Sequence, residues 1–179
     1  MSKKGLIITD IQYDMCDGGP MANSNSLNII PKINSIRDNY DLVIFTKKTY
    51  NKGHILFKKY PVHCVENSAG VKLHNELIIR TPDIIINRCS QKDSNSNSVF
   101  WDDETICKET KLKYFLKVHD IDKLYFCGNN MDTCIFSTIM DAINYGFKCY
   151  VLSDILGYYN KEIYDEKIKY LKTLDVEFI

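Results

Sequence analysis

The sequence has no surplus of charge of either sign, with 23 Lys+Arg against 23 Asp+Glu in 179 residues. A neutral chain lacks the electrostatic footprint of a nucleic-acid or anionic-membrane binder, so neither is expected as a partner. It also lacks a long apolar run. Roughly 20 consecutive apolar residues are needed to span a bilayer, and no stretch approaches that length. The opening MSKKGLIITDIQYD carries two lysines as a signal peptide does, but Asp10 breaks its short apolar run. A cytoplasmic address is the resulting expectation. C-x-x-C pairs are absent and the seven cysteines are odd in number, which suggests neither a disulfide framework nor a zinc knuckle. The ordinary role for each is buried packing as a free thiol. There is no internal repeat.

What is present is the composition of a globular protein: 45% hydrophobic and 26% charged residues. The length suits one domain over residues 1–179 with a single core. Short apolar runs alternate with helical patterns. Strands are predicted at 5–11, 41–48, 82–89, 123–129 and 148–154, with a last short one in VEFI. Helices are predicted at 25–38, with Pro31 near the start, and at 110–120, 131–146 and 161–174, Gly146 closing the third. Near-continuous apolar strands separated by helices indicate a mostly parallel, six-stranded sheet covered on both faces, a three-layer α/β/α sandwich. Two irregular stretches interrupt it: 49–81 and the Asn/Ser tract SQKDSNSNS at 90–98. Loops of that length are functional or disordered.

In an open parallel sheet, ligands bind beyond the carboxyl ends of the strands. Asp10 ends the first strand, Arg88 ends the third, and Cys134 follows the fourth after the turn GNNMD. A carboxylate, a cation and a thiol meeting in one crevice make a nucleophile with a base and an electrostatic partner. Each also has a plainer reading. Asp10 can cap a turn, Arg88 can be a surface cation or pair with Asp10 structurally, and Cys134 can be packing at the start of an apolar helix.

Four stretches bear on that choice. TDIQYDMCDGG (9–19) resembles an apolar strand followed by D-x-Q-x-D-F. YPVHCVENSAGVKLH (60–74) resembles P-x-H-C-V-x-x-T-x-G-x-x-x-H, NSVF (97–100) the end of an S-x-F loop, and CGNNMDTC (127–134) the pattern C-G-x-x-x-D-x-C. In this order they resemble the isochorismatase-like cysteine hydrolases, specifically the nicotinamidase/pyrazinamidase branch, over residues from about 5 to about 156. The resemblance implies that Cys134 is the nucleophile and Asp10 the base that takes its proton. A thioester forms on a carboxamide substrate, with loss of ammonia, and water then releases the acid. It implies a cis peptide at Asn129–Asn130 and an oxyanion hole of backbone N–H groups around Asn130 and Cys134. It also implies self-association.

The sequence departs from that pattern in three places. The family's catalytic lysine, twelve residues before Phe100, is Arg88 here; it keeps the charge, but its guanidinium is wider and holds its proton. The branch's metal ligands D-x-H and a further His follow the second strand, with another in the P-x-H-C-V segment. Here FTKKTYNKGHILF (45–57) places Lys48 and Tyr50 at the first two positions, leaving His54 and His63. An ammonium has no lone pair to offer an ion, and catalytic zinc sites use at least three protein ligands. No metal and no other cofactor are therefore expected. Lys48 then either holds a polar or anionic part of a ligand or is a solvated strand-end lysine. Tyr60 and Met15 stand where the branch has tryptophan and phenylalanine, and with Trp101 they are candidate walls for a flat ring. Three functions stay open: a nicotinamidase-like amidohydrolase, a metal-free hydrolase of another small substrate, and a non-catalytic descendant kept for ligand binding or assembly.

Overall fold

The computed structural model describes residues 2–179. Six strands form one sheet: β1 (Lys3–Thr9), β2 (Leu42–Lys48), β3 (Ile84–Arg88), β6 (Ile121–Gly128), β7 (Lys148–Leu156) and β8 (Val176–Phe178). Their order is β3-β2-β1-β6-β7-β8, and every neighbouring pair is parallel. A two-stranded antiparallel ribbon, β4 (Trp101–Asp103) with β5 (Lys108–Glu109), lies outside it.

Residue alternation decides the faces of the sheet. Ile7, Ile44, Ile86, Leu124, Phe126 and Val151 point to a core shared with Leu112 and Leu116 of α2 (Leu112–Val118), Ile139 and Ala142 of α3 (Phe136–Asn144), and Leu171 of α4 (Lys161–Leu171). Their neighbours Leu6, Ile8, Val43, Phe45, Tyr125 and Leu152 point to the other side, where Ile29, Ile30 and Ile33 of α1 (Ile29–Ile36) cover them. The sandwich therefore has three helices on one face and one on the other. No helix among the described residues is long and apolar enough to cross a membrane.

The differences from the sequence reading are local. Helix α1 starts at Ile29 rather than at 25, which puts Pro31 in its first turn, where a missing N–H costs nothing. The ribbon was not foreseen, because strands of two and three residues carry too few alternations to register as a period. The helix predicted from 131 opens with a π-helical turn, Met131–Ile135, before becoming α3. Gly146 does close it, with φ +84° and its N–H donating to the Ile143 carbonyl.

Chain order reverses between β1 and β6. The chain builds β1, β2 and β3 outward to one side, then crosses to β6 and builds outward to the other. The carboxyl ends of β1 and β6 flank the switch-point crevice in which such sheets bind ligands.

Candidate active site

Asp10 leaves β1 with φ +52° and is fully buried. Its N–H donates to the Thr46 carbonyl (3.1 Å), which turns the carboxylate away from the strand path. One oxygen, Oδ1, accepts from the Thr46 hydroxyl (2.8 Å). The other, Oδ2, accepts from Arg88 Nη2 (2.5 Å) and Asn130 Nδ2 (3.1 Å). Burial alone would push this carboxyl up; Arg88 first, then Lys48 and the Thr46 hydroxyl, outweigh it and hold Asp10 below the usual carboxylate range.

Arg88 is also fully buried. Its Nη1 donates to the carbonyls of Ser96 (2.8 Å) and Asn97 (3.1 Å). The Asn/Ser tract thus wraps the guanidinium, and Glu104 fastens it by accepting from the N–H groups of Asn97 and Ser98. Only Nε of this side chain lacks a partner. Burial opposes the charge, but the Asp10 carboxylate, then Cys134 and Cys89, raise Arg88 further above its ordinary range, so it stays a cation.

The loop after β6 brings the thiol in. Gly128 has φ +111°, and a Cβ there would stand 2.5 Å from the Thr9 carbonyl oxygen, so only glycine lets β6 close on β1. The Asn129–Asn130 peptide is trans, contrary to the expectation from resemblance; the cis bond among the described residues is Thr81–Pro82. The reason is local. The Asn129 carbonyl accepts from the Thr9 hydroxyl (2.6 Å), the Asn130 N–H donates to Asn23 Oδ1 (2.8 Å), and Asn130 makes the turn with φ +61°. The Asn130 N–H is therefore committed to Asn23 and not free for an oxyanion, while Asn130 Nδ2 reaches Asp10. Asn129 holds the carbonyls of Asp10 and Met15 through its Nδ2. Cys134 is fully buried in the π-helical turn, with the Thr133 hydroxyl 3.6 Å from its sulfur. No hydrogen bond joins it to Asp10.

Above these groups lies a cavity of about 530 Å³, within the size range of small-molecule sites. Lys48, Asn130 and Thr133 form part of its lining, while Asp10, Arg88 and Cys134 do not. Met15 and Tyr60 line it, as the sequence led us to expect. Trp101 does not: its Nε1 donates to Asp141 Oδ2 (2.8 Å) on α3, and its ring packs on the core. Residues that the sequence reading missed are Tyr159, Asn160 and Ile163, which enter from the start of α4. Asp132 draws that segment in by accepting from the N–H groups of Tyr159 (3.2 Å) and Asn160 (2.8 Å). The acid in C-G-x-x-x-D-x-C was the available signal.

Lys48 is 8% exposed, and its Nζ makes no hydrogen bond or ion pair with any described residue. Gln12 fixes its backbone, accepting from the Lys48 N–H and donating to the carbonyls of Lys48 and Val71, each at 2.8 Å. Of the imidazoles near it, His54 has both nitrogens committed and His63 one. His54 Nδ1 accepts from the Leu56 N–H (3.2 Å), so its Nε2 carries the proton and donates to the Ser94 carbonyl (2.9 Å). His63 donates from Nδ1 to the Pro61 carbonyl (2.7 Å). Burial, then the Lys48 charge, hold His63 below its ordinary range despite that bond, so its ring is neutral near pH 7. The buried Tyr50 ring fills the space between the two, with centroids 4.7 Å from His54 and 5.2 Å from His63.

A parallel sheet with a carboxylate, a cation and a thiol gathered near its switch point defines an α/β protein with a candidate active site there. The chain belongs to the isochorismatase family, whose Isochorismatase domain matches residues 4–178. Its relatives include the nicotinamidase of Acinetobacter baylyi, 28% identical over 83% of this chain and 78% of that protein. Among solved structures, PnC1 from L. infantum in complex with nicotinate superposes with TM-score 0.93 at 25% identity, covering 99% of this chain and 92% of that one. The pyrazinamidase of Pyrococcus horikoshii in complex with zinc gives 0.88 at 25% identity, covering 99% and 98%. The residues of the present chain do not suit such an ion. Lys48 offers a charge of the wrong sign, both His54 nitrogens are committed, and no group of three His, Cys, Asp or Glu side chains placed to share a metal occurs among the described residues.

Proposed function

We propose that this chain is a nicotinamidase-like amidohydrolase that cleaves nicotinamide or a related small carboxamide to the acid and ammonia through a thioester on Cys134. The observation that supports this reading is the buried Asp10–Arg88 pair at the sheet's switch point, with Cys134 in the turn after the neighbouring strand and a cavity lined by Lys48, Asn130 and Thr133 beside them. Three accepted hydrogen bonds leave about one of the carboxylate's four lone-pair sites for the thiol proton. The sulfur attacks the carboxamide carbon, the C–N bond breaks, and ammonia departs with the proton that Asp10 took up. Water then adds to the thioester, giving up its proton to Asp10, and the C–S bond breaks to return the thiol.

A second reading is a chain that binds the ligand without turning it over. It is favoured by the grip of Arg88 on Asp10 and by the commitment of the Asn130 N–H to Asn23. Ammonia release from nicotinamide decides between them. Under the first reading the parent protein turns over, and Cys134→Ala lowers the rate by at least about a thousandfold. Turnover absent from the parent but present in Arg88→Lys would establish the second.

A further inference from the structure

The cavity is lined by a buried cation that has no hydrogen-bonded or ion-paired acceptor among the described residues. Lys48 is more than nine-tenths buried, its ammonium has no hydrogen-bond acceptor among the described residues, and it lines the cavity directly. A buried charge without a partner is costly unless something bound supplies the partner. Solvated lysines at strand ends are exposed, and this one is not. Its position is also fixed, because Gln12 clamps the backbone on both sides of the residue and Lys48 pairs in register with Arg88 on the adjacent strand.

No carboxylate of the lining is ion-paired with Lys48. Lys59 adds a second cation, held over the Tyr60 ring at 5.2 Å. His63 is neutral, and Asp132, the lining's carboxylate, keeps its charge but turns both oxygens to the N–H groups of Tyr159 and Asn160, with no hydrogen bond to Lys48. The Asp10 carboxylate acts on Lys48 only through space, its contact ion pair being with Arg88. From these residues we infer that Lys48 is the anchor of an anion-binding subsite, and that the natural ligand is a flat carboxamide carrying a separate anionic oxygen group such as a carboxylate. The direction of the Lys48 titration agrees: burial lowers it, but Cys134, Tyr50 and Asp10 raise it, so the ammonium keeps its charge at any working pH. Lys48 is thus a permanent donor and not a proton carrier. That the ligand is a carboxamide rests on the function proposed above; the anion subsite does not.

Three probes with one ring shape separate the possibilities: benzamide, nicotinamide and isophthalamate, the last a ring carboxamide bearing a carboxylate. Calorimetric titration of the Cys134→Ala protein is expected to find isophthalamate bound about 10–100-fold more tightly than benzamide, the worth of one charge-assisted contact. Adding Lys48→Gln or Lys48→Met erases that preference while leaving benzamide affinity within about threefold, and circular dichroism confirms the fold of each variant. An isophthalamate affinity unchanged by both substitutions overturns the inference. So does a Lys48-dependent preference for nicotinamide equal to that for isophthalamate, which would make Lys48 a donor to ring nitrogen. Turnover is read separately with the parent protein. Charge-selective binding without ammonia release sustains the anion subsite and removes the hydrolase reading; ammonia release without charge selectivity does the reverse.

Discussion

Arg88→Met takes away one half of an ion pair in which both side chains are fully buried and 2.5 Å apart. The Asp10 carboxylate is left with the Thr46 hydroxyl and Asn130 Nδ2, neither of them charged. Removing one partner of a buried pair costs about 3–5 kcal/mol, and for a chain of this size that lowers the melting midpoint by about 6–20 °C. The pH dependence identifies the cause. In the parent, Asp10 has a folded pKa below its unfolded one, so the pair's contribution is complete above an unfolded value of about 3.9 and fades as pH falls through the lower folded value. In the variant, Lys48 and the Thr46 hydroxyl oppose burial without Arg88, and the carboxyl moves upward from its parent position. The folded state then gains relative stability as pH drops and Asp10 takes a proton. The gap between parent and variant is therefore widest near pH 7 and narrows toward pH 4. Urea unfolding across that range measures it, and Asp10→Asn/Arg88→Met should lose about 2 kcal/mol less than the two single variants summed, within the usual span of coupling for touching residues. A gap below about 1 kcal/mol at pH 7, well under the range for a broken buried pair, would refute the reasoning. A gap indifferent to pH would do the same.

Gly128→Ala should lose more than the roughly 0.4–1 kcal/mol that a strain-free Gly→Ala replacement gains, because its Cβ meets the Thr9 carbonyl at 2.5 Å and the Thr9 nitrogen at 2.6 Å with φ at +111°. Denaturant unfolding should show a loss of at least about 2 kcal/mol, in the range of a strained backbone, whereas Gly53→Ala, with nothing within 4 Å of the added carbon, is the milder control despite its own positive φ. Dialysis against a chelator should leave the melting midpoint and any ammonia release unchanged, since Lys48, Tyr50 and the committed His54 stand where the branch's ligands would be. A stoichiometric metal in the purified protein, lost together with stability on chelation, would overturn that.

Much of the fold was legible because its signals are periodic. Runs such as LVIFTKK and KLYFCGN are apolar on successive residues, which only a strand covered on both faces needs, and their alternation with helical spacing gave the sandwich. The switch-point rule then located Asp10, Arg88 and Cys134 at one end of the sheet before any geometry was known. What escaped the sequence depends on contacts between segments far apart in the chain. The β4–β5 ribbon has too few residues to show a period. The trans peptide at Asn129–Asn130 is set by Thr9 and Asn23, more than 100 residues away. Trp101 looked like a pocket wall because it adjoins NSVF, yet its indole N–H finds Asp141 on α3. The Asn/Ser tract, legible only as loop, is a set of carbonyls for Arg88 and His54.

The two departures at the strand ends make better sense together than apart. Lys48 and Arg88 are register partners on adjacent parallel strands, so their side chains leave the sheet on the same face, and two like charges side by side out of water repel strongly. Such a pair persists only if each cation is answered separately. Arg88 is answered from below, by Asp10 and two carbonyls, and its wide planar head suits that enclosed position better than an ammonium would. The Lys48 ammonium has no such enclosure and faces the cavity. Under the proposed function Arg88 holds Asp10 in place without lining the cavity, and the cation that does line it, Lys48, sits one strand over, where a metal-holding branch would need a carboxylate. On the anion-subsite inference, a ligand that brings its own negative charge completes this arrangement, whereas a neutral one leaves the Lys48 ammonium without a bound partner.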